Sequence, residues 1–294
     1  MTFVKSLLAT TLAVAVSGAA LAAATPEQAA QLGKNLTAVG AEKAGNADGT
    51  IPAYDGGLTT IPVGFKAGDA FRPDPFAGEK PRLVINAQNA AEQASKLTAT
   101  SQELLKRYPS YRMDVYPTHR TVALPQRVLD NTAVNALNAK ATNDGLALEN
   151  ALPGVPFPIP ATGNEAMWNH LLRYQGVTMT NKYDSWFADG SGAVTLSSIG
   201  IFTIDYPAYD PARPVGPLAP EDAFYRIKVM YTGPARRAGE AILLVDAVNP
   251  LKQPRRAWQY LPGQRRVKLA PDLAYDTPNA GTGGTATYDD AFVY

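Results

Sequence analysis

The chain has 294 residues, no cysteine, two histidines and nearly balanced charge, with 27 Lys and Arg against 26 Asp and Glu. Without cysteine there are no disulfides, thiolate zinc sites, iron–sulfur clusters or cysteine nucleophiles, and a formal net charge of +1 argues against a generally basic nucleic-acid binder. Only 18% of residues are charged while glycine and proline number 24 each, which describes a loop-rich globular chain rather than a coiled coil or a disordered one.

Residues 1–22 read as a secretory signal peptide. Lys5 gives a short positive region, Leu7 to Val16 is an apolar run, and Ala20-Leu21-Ala22 is a small-residue cleavage site. The run is too short to cross ~30 Å of hydrocarbon, which takes about 20 apolar residues. The expectation is therefore export to the periplasm, peripheral to the outer membrane or free, with residues 23–294 as one mature domain. No cysteine follows that could be acylated.

Thr25-Pro26-Glu27-Gln28 signals a short helix ending near Gly33, with Thr25 as cap and Pro26 in the first turn. Residues 36–80 hold many turn formers and little periodicity, and predict an ordered arm lying over the domain. Ala87 to Arg107 is helical in pattern, with a second cap at Thr100 and a stop at Pro109. Tyr111 to Leu124 reads as extended. A helix is expected before Asn143-Asp144-Gly145 and a short strand after it. Pro153 to Pro160 must be extended, and Thr162-x-x-Glu165 caps a helix over 164–174.

From Gly176 onward strands are expected near 177–187, 193–205, 222–232, 240–248, 255–261 and 264–270, separated by short turns, with a stiff five-proline loop between 207 and 220. Sequential strands with such turns pair antiparallel. In 225–231, Tyr225, Ile227, Val229 and Tyr231 share one face and Arg226, Lys228 and Met230 the other. In 240–248 both faces are apolar, which predicts a central strand covered on both sides. The fold class is mainly β with packed helices (α+β): a curved antiparallel sheet or unclosed barrel with a helical lid.

Three segments carry a family resemblance: Ala41-Glu42-x-Ala44-Gly45-Asn46-x-Asp48-Gly49-Thr50-Ile51-Pro52; Lys106 to Pro109 with Tyr111 to Arg120; and Gly154 to Pro160 running into Glu165 to Tyr174. They resemble an uncharacterised family of Gram-negative exported proteins described as outer membrane lipoprotein-sorting protein-like. The resemblance implies a fold similar to the periplasmic lipoprotein carriers LolA and LolB, an unclosed antiparallel barrel whose apolar concave face holds acyl chains. Arg256 to Lys268 also looks like a hairpin of that superfamily. Family members continue well beyond a stretch like Gly281 to Tyr294, so the resemblance implies later C-terminal strands absent here and an unpaired sheet edge.

Catalytic parts are not visible. Gly190-Ser191-Gly192 fits a hairpin turn, not a nucleophile elbow. His119 and His170 lack metal-ligand spacing and read as structural hydrogen-bonders. Gly281-Thr282-Gly283-Gly284-Thr285 has no lysine or following helix to make a phosphate loop. The pairs Glu221-Asp222 and Asp289-Asp290 fall on opposite faces of an extended chain. No enzyme activity, metal or cofactor is expected.

The recurring aromatics and wide apolar strands suit either a core or a pocket. The preferred expectation is a non-enzymatic periplasmic binding or shuttle protein for a lipid-like ligand, with Met167, Trp168, Leu171, Trp186, Phe202, Tyr225, Ile227, Val229, Leu243, Val245 and Trp258 lining the pocket and the 164–174 helix as its lid. Ten Lys/Arg and only two acids lie between Arg226 and Lys268, with acids alone beyond. This block suits solvated strand faces, lipid headgroups, an outer-membrane acceptor or an export transporter. The alternative is an envelope interaction or assembly protein that partners an export system and takes no small molecule.

Overall fold

The computed structural model describes residues 24–69 and 71–290; the expected signal peptide lies outside them. In chain order the elements are α1 (Pro26–Ala29), β1 (Leu83–Ile85), a 3-10 segment (Ala90–Lys96), α2 (Ala99–Arg107), β2 (Met113–Val115), α3 (Gln126–Asn138), β3 (Lys140–Thr142), β4 (Ala147–Glu149), α4 (Gly163–Leu171), β5 (Thr178–Ala188), β6 (Val194–Asp205), β7 (Ala223–Gly233), β8 (Ala241–Ala247), β9 (Arg256–Leu261) and β10 (Arg266–Leu269). The architecture is mainly β with a few helices. No helix among the described residues is long and apolar enough to cross a membrane.

The chain divides into two compact units, one comprising residues 30–126 and the other the remainder. In the first, β1 and β2 pair antiparallel and the turn-rich arm is held by neighbours later in the sequence. Arg120 donates to the carbonyls of Glu42 at 2.6 Å and Lys43 at 3.1 Å. His119 stacks on Phe76 with ring centroids 3.8 Å apart and meets Glu79 at 2.8 Å. Gly57 has φ +82, and a Cβ there would lie 2.3 Å from the Val122 carbonyl oxygen, so only glycine allows this approach. α2 is capped by Thr98 rather than Thr100, its side chain accepting from Ser101 N.

In the second unit, α3 anchors the proline-rich segment that follows it. Asn135 accepts from Leu152 N at 2.7 Å and donates to the carbonyls of Leu152 and Val155, so a buried amide satisfies backbone that proline cannot pair. The hairpin of β3 and β4 turns through Asn143, Asp144 and Gly145, all at positive φ. Trp168 Nε1 donates to Gly145 O at 2.8 Å and pins α4 to that turn. α4 opens with the expected capping box of Thr162 and Glu165, and ends at Leu171 rather than running on to Tyr174.

The main sheet has six strands in the order β10-β9-β8-β7-β6-β5, each antiparallel to its sequence neighbour. It is a curved meander that does not close. Register shifts fall at Ser185/Trp186, Ile199/Gly200 and Ala223/Tyr225; such bulges bend strands and increase twist. β5 and β10 are its edges among the described residues. The proline loop between β6 and β7 is tied down by Arg213, which donates to Pro217 O at 2.8 Å and Asp222 at 2.9 Å.

Register decides the two faces, because directly opposed residues share one. Ile204, Ile227 and Leu244 are mutually paired on one face, as are Phe202, Val229 and Ile242. On the other face Lys228 opposes Leu243, which opposes Trp258, and Arg226 opposes Val245, which opposes Arg256. The first is the inner, cavity-bearing face. β8 is covered unevenly: Ile242 and Leu244 are buried, whereas Leu243 on the outer face is 38% exposed.

After β10 the chain returns to the inner face as a tongue, residues 271–290. Pro278 and Thr287 form an antiparallel bridge within it, and a 3-10 turn at Ala280–Thr282 packs on β5 and β6. Ser198 Oγ donates to Gly281 O at 2.7 Å in a buried setting. The second tie is Arg255, whose side chain is 4% exposed: it meets Asp246 at 2.7 Å and the tongue's Asp289 at 2.6 Å. It also donates to the Tyr225 hydroxyl at 3.1 Å, while that hydroxyl donates to Asp246. Burial opposes the Arg255 charge, but these partners outweigh it and hold its pKa above the ordinary arginine value. Removing one member of a buried ion network leaves its partners charged and unpaired, at a cost of ~3–5 kcal/mol. Arg255→Met is therefore expected to lower unfolding stability by about that amount in urea denaturation; a loss under ~1 kcal/mol, the range of exposed pairs, would contradict the network's role.

Candidate functional site

The inner face of β5 to β8, the stretch after α4 and the tongue enclose a cavity of about 730 Å³, within the range of small-molecule pockets. Its lining is ordered in levels set by strand register. At one end stand Tyr206, just past the Asp205–Arg226 pair, and Tyr225, opposite Asp246. The next level is wholly apolar: Met179, Ile204, Ile227 and Leu244. The level after it has Phe202, Val229 and Ile242. Then come Tyr183 and Tyr231 on either side of Gly200. From Tyr225 to Tyr231 is six residues, or about 20 Å at ~3.3 Å per strand residue.

Gly200 is required by this packing. A Cβ there would fall 2.9 Å from the Tyr183 ring and hydroxyl and 2.8 Å from the Met230 carbonyl oxygen, so the missing side chain is what lets Tyr183 lie across β6. The tongue closes this end: Tyr288, Asn279, Gly281 and Thr282 all face the cavity, and a Cβ on Gly281 would come within 2.9 Å of the Tyr231 hydroxyl.

Five of the lining residues are tyrosines. Burial raises the pKa of Tyr183, Tyr206, Tyr231 and Tyr288 alike. For Tyr231 burial pushes it up to about 12, against the opposing pull of Arg237, whose guanidinium sits 3.8 Å over the ring centroid. Arg237 itself is balanced by Glu240 at 3.3 Å. At neutral pH these four hydroxyls are uncharged above an apolar floor, and Arg173 and Asp184 are the charged residues of the lining. No group of three or more His, Asp or Glu able to hold a metal ion occurs among the described residues.

Of the residues expected to line a pocket, Leu171, Trp186, Phe202, Tyr225, Ile227 and Val229 do line the cavity. Met167 and Trp168 instead line a neighbouring depression of about 300 Å³ with Gly145, Pro250 and Tyr275. Leu243, Val245 and Trp258 are corrected: their register with Lys228 and Arg226 puts them on the outer face. The lid is also divided. α4 contributes only Leu171, its last residue, while the tongue supplies much of the cover. Tyr183, Tyr206, Tyr231 and Tyr288 were not anticipated as lining residues, although the alternation that selected Ile227 and Val229 extends to Tyr231.

The raised phenol pKa values have a thermodynamic consequence. A group whose pKa is higher in the native state binds more protons there than when unfolded, so stability falls as pH rises between the two values. For Tyr231 that window runs from about pH 10 to about pH 12, and its contribution is fully present below pH 10. Denaturation midpoints should fall across that window, more steeply in the native sequence than in Tyr231→Phe; identical pH dependence in the two would contradict the buried-phenol assignment.

The family described as "Protein of unknown function (DUF1329)" matches residues 84–294. The chain is also 39% identical over 278 residues to an uncharacterized protein of Pseudomonas aeruginosa, PA3922, an alignment that covers 93% of this chain and 60% of that protein. The chain therefore spans about three-fifths of the length of this relative. No solved structure gives a significant match.

Proposed function

We propose that this chain, which belongs to the DUF1329 family of unknown function, is a non-enzymatic periplasmic carrier that binds a lipid-like molecule on the inner face of its sheet. The observation that carries the reading is the pair of apolar levels, Met179-Ile204-Ile227-Leu244 and Phe202-Val229-Ile242, facing a cavity of about 730 Å³ instead of a filled core. A pocket of this kind needs no reactive group, because each buried methylene contributes ~0.8 kcal/mol. An unclosed antiparallel sheet with an apolar inner face is also how LolA and LolB hold acyl chains, and we read this fold as similar to theirs. The leader pattern in residues 1–22 supports export, and an envelope transporter or outer-membrane acceptor is the partner class such a carrier requires.

A second reading, an envelope assembly protein, is favoured by one observation. On the outer face Met230, Leu243, Val267 and Leu269 are exposed near Arg226, Lys228 and Arg256, a surface more apolar than a solvated sheet face requires. The two readings separate in a titration of delipidated protein with a fluorescent fatty acid. The carrier reading predicts saturable binding that Val229→Asp weakens by at least ~10-fold, since a carboxylate in an apolar site is strongly penalised. Leu243→Asp on the outer face should leave it unchanged. No binding, with no lipid co-purifying, would sink the carrier reading; envelope pull-downs lost in Leu243→Asp would then support assembly.

A further inference from the structure

The cavity's few charges are placed asymmetrically, and this bears on what kind of amphiphile fits. Among its lining residues Arg173 is the cation and Asp184 the acid. Arg173 stands just beyond the end of α4, at the Tyr206 end, and is exposed. Asp184 follows Tyr183 and belongs to the opposite end. Arg173 therefore offers an anion a guanidinium at the Tyr206 end, whereas Arg237, over the Tyr231 ring at the other end, is already paired with Glu240.

The Arg173 end is built to hold its donors in place. Arg173 Nη1 donates to the His170 carbonyl at 2.6 Å, which fixes the guanidinium against the last turn of α4. In the amide orientation that satisfies both its atoms, the Gln175 oxygen accepts from the Tyr206 hydroxyl at 2.9 Å and from Arg173 Nε at 3.2 Å and Nη2 at 3.3 Å. With its oxygen so occupied, Gln175 has only its N–H₂ to offer a ligand, beside a guanidinium with N–H groups to spare. Donors without a competing acceptor suit a carboxylate. Beyond them run the two apolar levels, and about 20 Å further along the strands, six residues at ~3.3 Å each, the tongue closes the cavity through the Ser198–Gly281 hydrogen bond.

We propose that the ligand class is a single-chain amphiphile with a carboxylate headgroup, its head at Arg173 and Gln175 and its chain lying on Ile204, Phe202, Ile227 and Val229 toward Tyr231. This rests on the carrier reading and adds to it a headgroup, an orientation and a length limit. One end with exposed Arg173 and Gln175 and one end covered by the tongue accommodate one head and one chain. The chain's terminal methyl would lie against the Tyr183 and Tyr231 rings.

The test is displacement of a neutral fluorescent probe, N-phenylnaphthylamine, by saturated fatty acids of increasing length and by the matched alcohols and amines. Acids should displace at least ~10-fold better than alcohols, and alcohols better than amines. Each added methylene should tighten binding about fourfold, up to a plateau once the chain spans the apolar levels. Arg173→Gln should erase the acid's advantage over the alcohol, and Arg173→Lys should restore part of it. If the probe binds but acids and alcohols displace it equally, or Arg173→Gln leaves the advantage intact, the headgroup assignment is overturned while the carrier reading stands. If neither probe nor acid binds, the carrier reading itself fails, and this proposal with it.

Discussion

Antiparallel register is the constraint on which the inner face depends. Because side chains alternate with a period of two, a slip of one residue between β6 and β7 would bring Thr203 and Ile201 or Asp205 inward in place of Phe202 and Ile204 and break the apolar levels. The native pairing of Phe202 with Val229 and Ile204 with Ile227 fixes both levels at once, and β8 joins them through Ile242 and Leu244. The register shifts leave these central levels intact, so the bend is taken up where Tyr225, Gly200 and Ser185 stand.

The roof depends on longer-range chemistry. Arg255 joins β7, β8 and the tongue through Tyr225, Asp246 and Asp289, and Ser198 holds the tongue's 3-10 turn onto β6. These few polar ties replace the apolar packing that would otherwise fill the space above the sheet. The same arrangement accounts for part of the charge pattern. The acidic residues beyond Lys268 are not a separate tail, since Asp289 neutralises Arg255 from the basic block. Within that block, Arg226, Lys228 and Arg256 lie on the outer face.

Much of this was legible in the sequence, for reasons that differ by element. All six strands of the sheet fall within a few residues of where turn formers and alternation put them, because Asp189-Gly190, Gly233-Pro234, Asn249-Pro250 and Pro262-Gly263 bound them sharply. The α4 cap was readable from Thr162 and Glu165, which act within one turn. The face of β7 was readable because charged Arg226 and Lys228 alternate with Ile227 and Val229. β8 offered no such contrast: Ile242, Leu243, Leu244 and Val245 are all apolar, and only pairing with β7 separates them, which is why Leu243, Val245 and their neighbour Trp258 were placed in the pocket. The tongue was opaque for another reason. Asn279, Gly281, Gly283 and Gly284 carry no periodicity, and the bonds that position them reach Ser198 and Arg255, far away along the chain.

The inner face of the sheet is proposed as a binding surface and not an imperfect core. It is tested most directly by photolabelling the purified protein with a diazirine-bearing fatty acid and mapping the modified peptides. The account predicts labelling concentrated on β5, β6 and β7 at Met179, Phe202, Ile204 and Val229, and abolished by excess unlabelled fatty acid. Labelling confined to Leu243, Trp258 and Leu269 on the outer face, or labelling that excess competitor leaves untouched, would contradict it.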